Sequence, residues 1–339
     1  MMKKEYILAI ESSCDDTSIA VIDTEYKVYS NIISSQAIHN DFGGVVPELA
    51  SRLHLKNLSY CMDLALNESG ILLSDVSAIA VSVNPGLIGS LLVGVSFAKG
   101  LAWSLNVPLI AVNHMLGHVF ANKISTPDLQ APWLALIISG GHTELVEFET
   151  EEDFRIVGHT VDDAAGEAFD KIAKILNLGY PGGPIIDKMA KTGNPHFYKF
   201  PQAMNRKDNF NFSFSGLKTA VLQYLNKQDQ VYINENIHDI VASAQLAIVD
   251  ILVKKTIAYA TKHQIKKIIV AGGVSANSFL RDQMLKANHK LKAEIYFPPL
   301  KLCMDNAAMI GAAAIPKYLK KEFSSLDLNA FSTKGIKKI

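Results

Sequence analysis

Two stretches of the chain share one pattern of apolar and polar positions. Residues 6–22 (YILAIESSCDDTSIAVI) and 133–148 (WLALIISGGHTELVEF) each carry an apolar run into a short polar turn holding Ser and Thr, then leave through a second β-rich run. Each predicts a β-hairpin, and the recurrence predicts an internal duplication, two similar domains each opened by a hairpin. After the first hairpin the pattern predicts a strand near 27–35, a helix over 48–69 and a buried strand over 78–83. A turn at Asn84-Pro85-Gly86, a helix over 88–104, a strand over 108–112 and a helix bearing His114 and His118 follow. After the second hairpin, VGHTVDDAAGEAFDKIAKILNL opens on polar capping residues and continues at helical period. Then come a GYPGGP loop, an irregular stretch over 194–216, a helix over 238–262, a strand over 267–271, the AGGVSAN turn and a helix from 277. Helices alternating with short apolar strands predict an α/β protein with mixed sheets.

Length and composition narrow this. At 339 residues the chain suits two domains or one two-lobed unit. Apolar residues at 49% and charged residues at 19% describe a folded globular protein. Lys+Arg and Asp+Glu both number 33, so net charge carries no signature of a nucleic-acid partner and does not exclude one. Cys14, Cys61 and Cys303 are far apart with no CxxC pair, which fits a reducing compartment without disulfides. Residues 76–98 are uncharged, but the Asn-Pro-Gly turn breaks them and Ser77, Ser82, Ser90 and Ser96 dilute them. Strand, turn and helix fit better than a membrane span. The apolar run before Glu11 is too short for a signal sequence, so the expectation is a cytoplasmic protein with no membrane partner.

Three separated pieces carry candidate chemistry. His114 and His118 stand four residues apart on one face of a helix, and Asp305 supplies a third donor for a two-His, one-carboxylate metal site. Such a set leaves open positions and suits iron(II), with zinc or manganese also compatible. A zinc-protease reading is disfavoured, because Met115 stands where HExxH needs its general-base Glu. The turn Ile137-Ile138-Ser139-Gly140-Gly141 is either a β-turn using glycine for positive φ, or a side-chain-free cradle for phosphate. Glu11, Asp15 and Asp16 cluster at the first hairpin turn, where acidic residues either stabilise the turn or take part in the chemistry.

Eight motifs in order, IESSCDDTSIAV, NHMLGHVFA, SGGHTEL, TVDDAAGEAFDK, GYPGGP, FSFSGLKTA, AGGVSANSFLR and CMDNAAMIG, span positions 10 to 311. Together they resemble the tRNA threonylcarbamoyladenosine transferases, the TsaD family, once described as O-sialoglycoprotein endopeptidases. Ser12, Asp16 and Met304 depart from residues common in that family. The resemblance implies two ribonuclease-H-like lobes of the actin/Hsp70/sugar-kinase (ASKHA) fold with nucleotide in the interlobe cleft. The first lobe would comprise 1–130 plus about 300–325 and carry the metal; the second, 131–299, would carry most nucleotide contacts, and 326–339 would form a C-terminal tail whose lysine-rich end, STKGIKKI, reads as frayed. It implies iron at His114, His118 and Asp305, and an adenylate held by Ile137 to Gly141, Asp170, Gly183, Asp187 and Asn277. Asn277 could equally be a helix N-cap. The implied reaction moves an L-threonylcarbamoyl group from threonylcarbamoyl-AMP to N6 of adenosine 37 in tRNAs reading codons that begin with A, releasing AMP. Implied partners are tRNA, a degenerate paralogue of the same fold (TsaB-like) and a small ATPase (TsaE-like). An ATP-dependent kinase or ATPase of the same fold, or a metalloprotease, are the rival readings. Lysines 262, 266, 267, 286, 290 and 292 form either a basic face or solvated helix surface.

Overall fold

The computed structural model describes residues 4–204, 208–289, 291–331 and 335–336; Lys290 and most of the STKGIKKI end lie outside the described residues. The chain divides into two units, Met1–Leu129 with Pro298–Ile339, and Gln130–Phe297.

Unit 1 opens with β1 (Tyr6–Glu11), β2 (Asp16–Asp23) and β3 (Val28–Ser35), then α1 (Pro47–Ser69), β4 (Val76–Asn84), α2 (Ile88–Leu105), β5 (Leu109–Asn113) and α3 (His114–Ser125). Its sheet runs β3-β2-β1-β4-β5, antiparallel across the first three strands and parallel from β1 to β5. β1 and β4 are buried nearly end to end, because helices cover both faces; hence continuous apolar runs rather than alternation. α1 buries Ala50, His54, Leu58, Cys61 and Ala65 at helical spacing, starts on Pro47 and stops at Gly70 with φ 68°. Among the described helices α2 is the one long and apolar enough to cross a membrane by length and composition. Its Ser90, Gly94 and Ala98 face packs inward: a Cβ at Gly94 would lie 2.2 Å from Ser12 Oγ.

Unit 2 repeats the plan. β6 (Trp133–Ile138), β7 (Thr143–Phe148) and β8 (Phe154–His159) precede α4 (Ala165–Ile175), α5 (Gly182–Ala190), α6 (Ser215–Leu225), α7 (Gln230–Glu235) and α8 (Ile237–Lys262). β9 (Lys267–Ala271), α9 (Ser278–Ala287) and β10 (Glu294–Tyr296) complete it. Its sheet runs β10-β9-β6-β7-β8, the order of unit 1 read from the other end, with the same antiparallel hairpin and parallel pairs. The two hairpins are thus the opening of a duplicated sheet. β8, α6, α7 and β10 escape the pattern reading; β8 is a half-exposed edge strand whose side chains do not alternate cleanly.

The last helix, α10 (Ala307–Lys320), returns to unit 1 and lies across β1, β2 and α3. Its small residues permit close approach: a Cβ on Gly311 would stand 2.5 Å from Ile22 Cγ2, and one on Gly117 of α3 would meet Ile310 and Met309 at 3.0 and 3.1 Å. Of the STKGIKKI end only Gly335 and Ile336 are described, and the segment ahead of it is held to unit 1. Ser324 N donates to Leu109 O at 2.8 Å, Phe331 N donates to Val83 O at 3.0 Å, and Ala330 and Ile336 are buried.

Candidate functional site

In unit 1 the parallel strands β1, β4 and β5 end together, on Glu11, Asn84 and Asn113. Loops at such an edge are where open α/β sheets bind ligands. Asn113 caps α3 by accepting from Met115 N and Leu116 N, which sets the first turn of the helix and with it His114. The β1–β2 turn is clamped on several sides. Ser12 Oγ donates to Ser90 O (3.0 Å), Leu87 N donates to Ser13 O (2.8 Å), and buried His54 of α1 joins Thr17 Oγ1 (2.8 Å) and Cys14 O (2.9 Å). Asp305 precedes α10 in a loop held by buried Asn306, whose side chain accepts from Met309 N and donates to Leu302 O and Met304 O.

These elements bring His114, His118 and Asp305 together, with donor atoms all within 4.8 Å of one another. Asp305 Oδ1 lies 3.4 Å from His114 Nε2 and 3.3 Å from His118 Nε2. Two donors each about 2.1 Å from one ion sit roughly 3.0–3.4 Å apart at octahedral to tetrahedral angles, so the spacing is that of ligands sharing a metal. His118 supplies the second observation. It is 1% exposed; its Nδ1 has no hydrogen-bond partner among the described residues, and its Nε2 faces Asp305 Oδ1. A buried imidazole left so is costly unless a ligand satisfies it. Burial, reinforced by neighbouring His114, lowers the His118 pKa and favours the neutral ring a metal requires. Burial opposes the charge on Asp305, but His114 and His118 outweigh it and hold the carboxyl well below its usual range. For His114, too, burial opposes the charge, and the Glu11 and Asp305 carboxylates outweigh it, so its pKa rises well above the usual. The residues fit a divalent cation.

Glu11, left undecided by the sequence, is fully buried and faces His114 Nδ1 at 2.9 Å. Burial pushes Asp16 up to about 6 against a lowering hydrogen bond from Ser35, with Asp305 and Asp15 adding to the rise.

In unit 2 the equivalent edge is built from glycine. Ser139 N donates to His142 O (2.8 Å) and His142 N to Ser139 Oγ (3.1 Å), closing the β6–β7 turn. Gly140 and Gly141 do not have positive φ, so the conformational reason for glycine fails here. A Cβ on either would meet nothing within 4 Å, so packing within the chain is no reason either. The turn therefore presents bare, open backbone. Gly166 at the start of α4 abuts the turn, where a Cβ would stand 2.5 Å from Ser139 O. Gly272, with φ 86°, sits on Ile138, where a Cβ would stand 2.4 Å from its carbonyl oxygen. Ile137 and Ile138 themselves are fully buried and hydrogen-bonded between β7 and β9, so they set the start of the turn and their side chains face the core.

The aspartates expected to meet ribose also hold helix starts. Asp170 Oδ1 accepts from Gly182 N at 2.8 Å, at the N-terminus of α5. Asp187 accepts from Ser278 N (3.2 Å) and Ser278 Oγ (3.0 Å) at the N-terminus of α9. Asn277 is the N-cap of α9, accepting from Leu280 N at 2.8 Å, while its Nδ2 donates to Gln245 Oε1 at 2.8 Å. Asp187, Gln245 and Ser278 share a shallow hollow of about 180 Å³ with Ala190, Lys191, Phe279 and Asp282. Gly183 is open, its absent Cβ facing nothing within 4 Å. Asp162, which no motif singled out, does the same for α6, accepting from Phe214 N and Ser215 N.

Comparison with known proteins now has a geometry to stand on. A family model described as TsaD, tRNA N6-adenosine threonylcarbamoyltransferase, matches residues 27–312. The chain is 50% identical over 325 residues to the tRNA N6-adenosine threonylcarbamoyltransferase of Moorella thermoacetica, covering 96% of this chain and 95% of that one. It is 51% identical over 330 residues to the protein of that name from Clostridium perfringens strain SM101, covering 97% of each. Among solved structures, HypF in its phosphate- and nucleotide-bound form matches with a TM-score of 0.60 at 13% identity, over 94% of this chain and 47% of that one. Component A of the (R)-2-hydroxyglutaryl-CoA dehydratase of Acidaminococcus fermentans matches at 0.55 and 16% identity, over 94% and 99%. Those two likenesses speak to fold alone, and the fold is ASKHA. Half-identical over nearly its whole length to such relatives, the chain belongs to the TsaD family of tRNA N6-adenosine threonylcarbamoyltransferases.

Proposed function

We propose that this transferase takes threonylcarbamoyl-AMP as donor and adenosine 37 of tRNAs reading codons that begin with A as acceptor, releasing AMP. The observation that carries the reading is the convergence of the buried His114 and His118 on Asp305, at a sheet edge whose duplicate is the open glycine turn. In the reaction the N6 amine forms a bond to the carbamoyl carbon, and the bond from that carbon to the phosphate oxygen breaks. AMP leaves with the electron pair, and the amine loses a proton to solvent or a nearby base. The Ser139–Gly141 turn takes the phosphate against bare backbone, while Asp187, Gly183 and the α9 start hold base and ribose. His114, His118 and Asp305 would hold a divalent metal, iron(II) by the family resemblance, which when bound would supply Lewis-acid stabilisation of the charge on the leaving part. An exocyclic amine is a weak nucleophile, so holding the reactants in line supplies much of the rate and no Ser or Cys nucleophile is needed. A TsaB-like paralogue and a TsaE-like ATPase assist in the cytoplasm.

The test supplies purified protein, those two partners, synthetic threonylcarbamoyl-AMP and unmodified tRNA, and reads modified adenosine by mass spectrometry. Product that needs the adenylate supports the reading. Phosphoryl transfer from ATP or peptide cleavage in place of that product overturns it.

A further inference from the structure

The two ring nitrogens of His114 face different groups. Nδ1 lies 2.9 Å from Glu11 Oε2 and 3.1 Å from Ser13 Oγ, whereas Nε2 lies 3.4 Å from Asp305 Oδ1. Glu11 is fully buried at the end of β1, and its other oxygen accepts from Ser13 N. An ionised carboxylate only accepts, so the nitrogen turned to Glu11 is the one carrying hydrogen. A buried carboxylate also needs a compensating charge, and among the described residues the ion-pair partner of Glu11 is His114. His118 has no such brace: its Nδ1 is buried without a hydrogen-bond partner among the described residues.

We infer that Glu11 is a positioning residue for the metal site. It fixes His114 with hydrogen on Nδ1 and aims the Nε2 lone pair at the point shared with His118 and Asp305. The first hairpin turn therefore serves the metal through His114 rather than touching substrate through Glu11. The clamps on that turn from α1 and α2 hold the carboxylate in place. His118 has no carboxylate behind its Nδ1 and is aimed by packing, including a near-perpendicular ring contact with His114 at 4.7 Å, and by Asp305 at its Nε2. This assignment rests on the metal reading above and adds a residue to it.

The experiment titrates cobalt(II) into the metal-stripped full chain, following the d–d absorption bands and competing with a chelator. The proteins are wild type, Glu11→Gln and Glu11→Asp, each also melted without metal. Loss of an outer hydrogen-bond partner costs about 10–100-fold in metal affinity. The expected result is a Kd weaker by that factor in both variants, with shifted bands, since one loses the charge and the other withdraws it by a methylene. Should Glu11→Gln fail to fold, Glu11→Asp carries the same expectation. A Kd and spectrum equal to wild type, with only the melting temperature lowered, would mean Glu11 merely caps Ser13 N and overturns the inference. No cobalt bands in wild type overturn the inference together with the metal reading.

Discussion

The two sheets have one topology and opposite chemistry at their corresponding edges. In unit 1 the edge carries Glu11, Asp15, Asp16, His114, His118 and Asp305, with two imidazoles and a carboxylate converging on one point. In unit 2 it carries Ser139, Gly140, Gly141 and Gly272, with carboxylates withdrawn to the starts of α5, α6 and α9. A duplicated scaffold presents the same edge twice, and the side chains brought there by its turns and by α3 and the start of α10 make one edge rich in imidazole and carboxylate and the other bare backbone. The fold sets where, and the side chains set what.

The sharpest break of this comparison is in unit 1. His118→Ala removes a buried ligand whose one polar contact among the described residues is with Asp305. It should strip the bound metal and lower transfer by more than the roughly 10–100-fold that outer-sphere changes cost, with little loss of adenosine affinity. Metal analysis of the purified variant alongside a single-turnover assay checks it; wild-type metal content would dismiss the site. In unit 2 the corresponding test is Gly141→Ala. The new methyl meets nothing in the chain and the backbone is not left-handed, so thermal stability should hold within about 1 kcal/mol. Donor-analogue affinity by calorimetry should fall by about tenfold, on the order of 1.4 kcal/mol. Unchanged affinity would return the glycines to a role in the turn alone. A third test is Asp187→Ala, which removes the acceptor at the start of α9 and so acts on stability as well as binding. It should cost roughly 0.5–2 kcal/mol of stability in denaturant unfolding. It should also weaken adenosine binding by about 0.5–3 kcal/mol. Loss of binding with no loss of stability would show that the cap is incidental.

Much of this was legible in the chain, for identifiable reasons. The hairpins stand out because strands buried on both faces write continuous apolar runs, and the His114–His118 pair because imidazole spacing on a helix is local, whereas Asp305 lies far along the chain in the CMDNAAMIG motif. α10 was not predicted, since AAMIGAAAIP reads as small residues with a proline inside, and its helical purpose is the close contact with α3 and Ile22. β8 was hidden by its exposure at a sheet edge. The second role of Asp187 could not be read at all: its partner Ser278 is 91 residues away, and only the fold brings the two together. Glu11 was ambiguous for the same reason, its partner His114 lying 103 residues on. Proximity in space decides a carboxylate's role, and spacing in sequence reports it only within one helix or turn.

The division of labour between the two edges is tested most directly by Asp305→Asn, measured for adenosine affinity and for single-turnover threonylcarbamoyl transfer on the same preparation. Asp305 belongs to the unit 1 site, and the residues assigned to base and ribose belong to unit 2. Replacing the anionic ligand should loosen the metal and misplace the reactive carbonyl while leaving the adenosine contacts as they are. The account predicts transfer reduced by about tenfold or more with adenosine affinity unchanged; a fall of both by the same factor would contradict it.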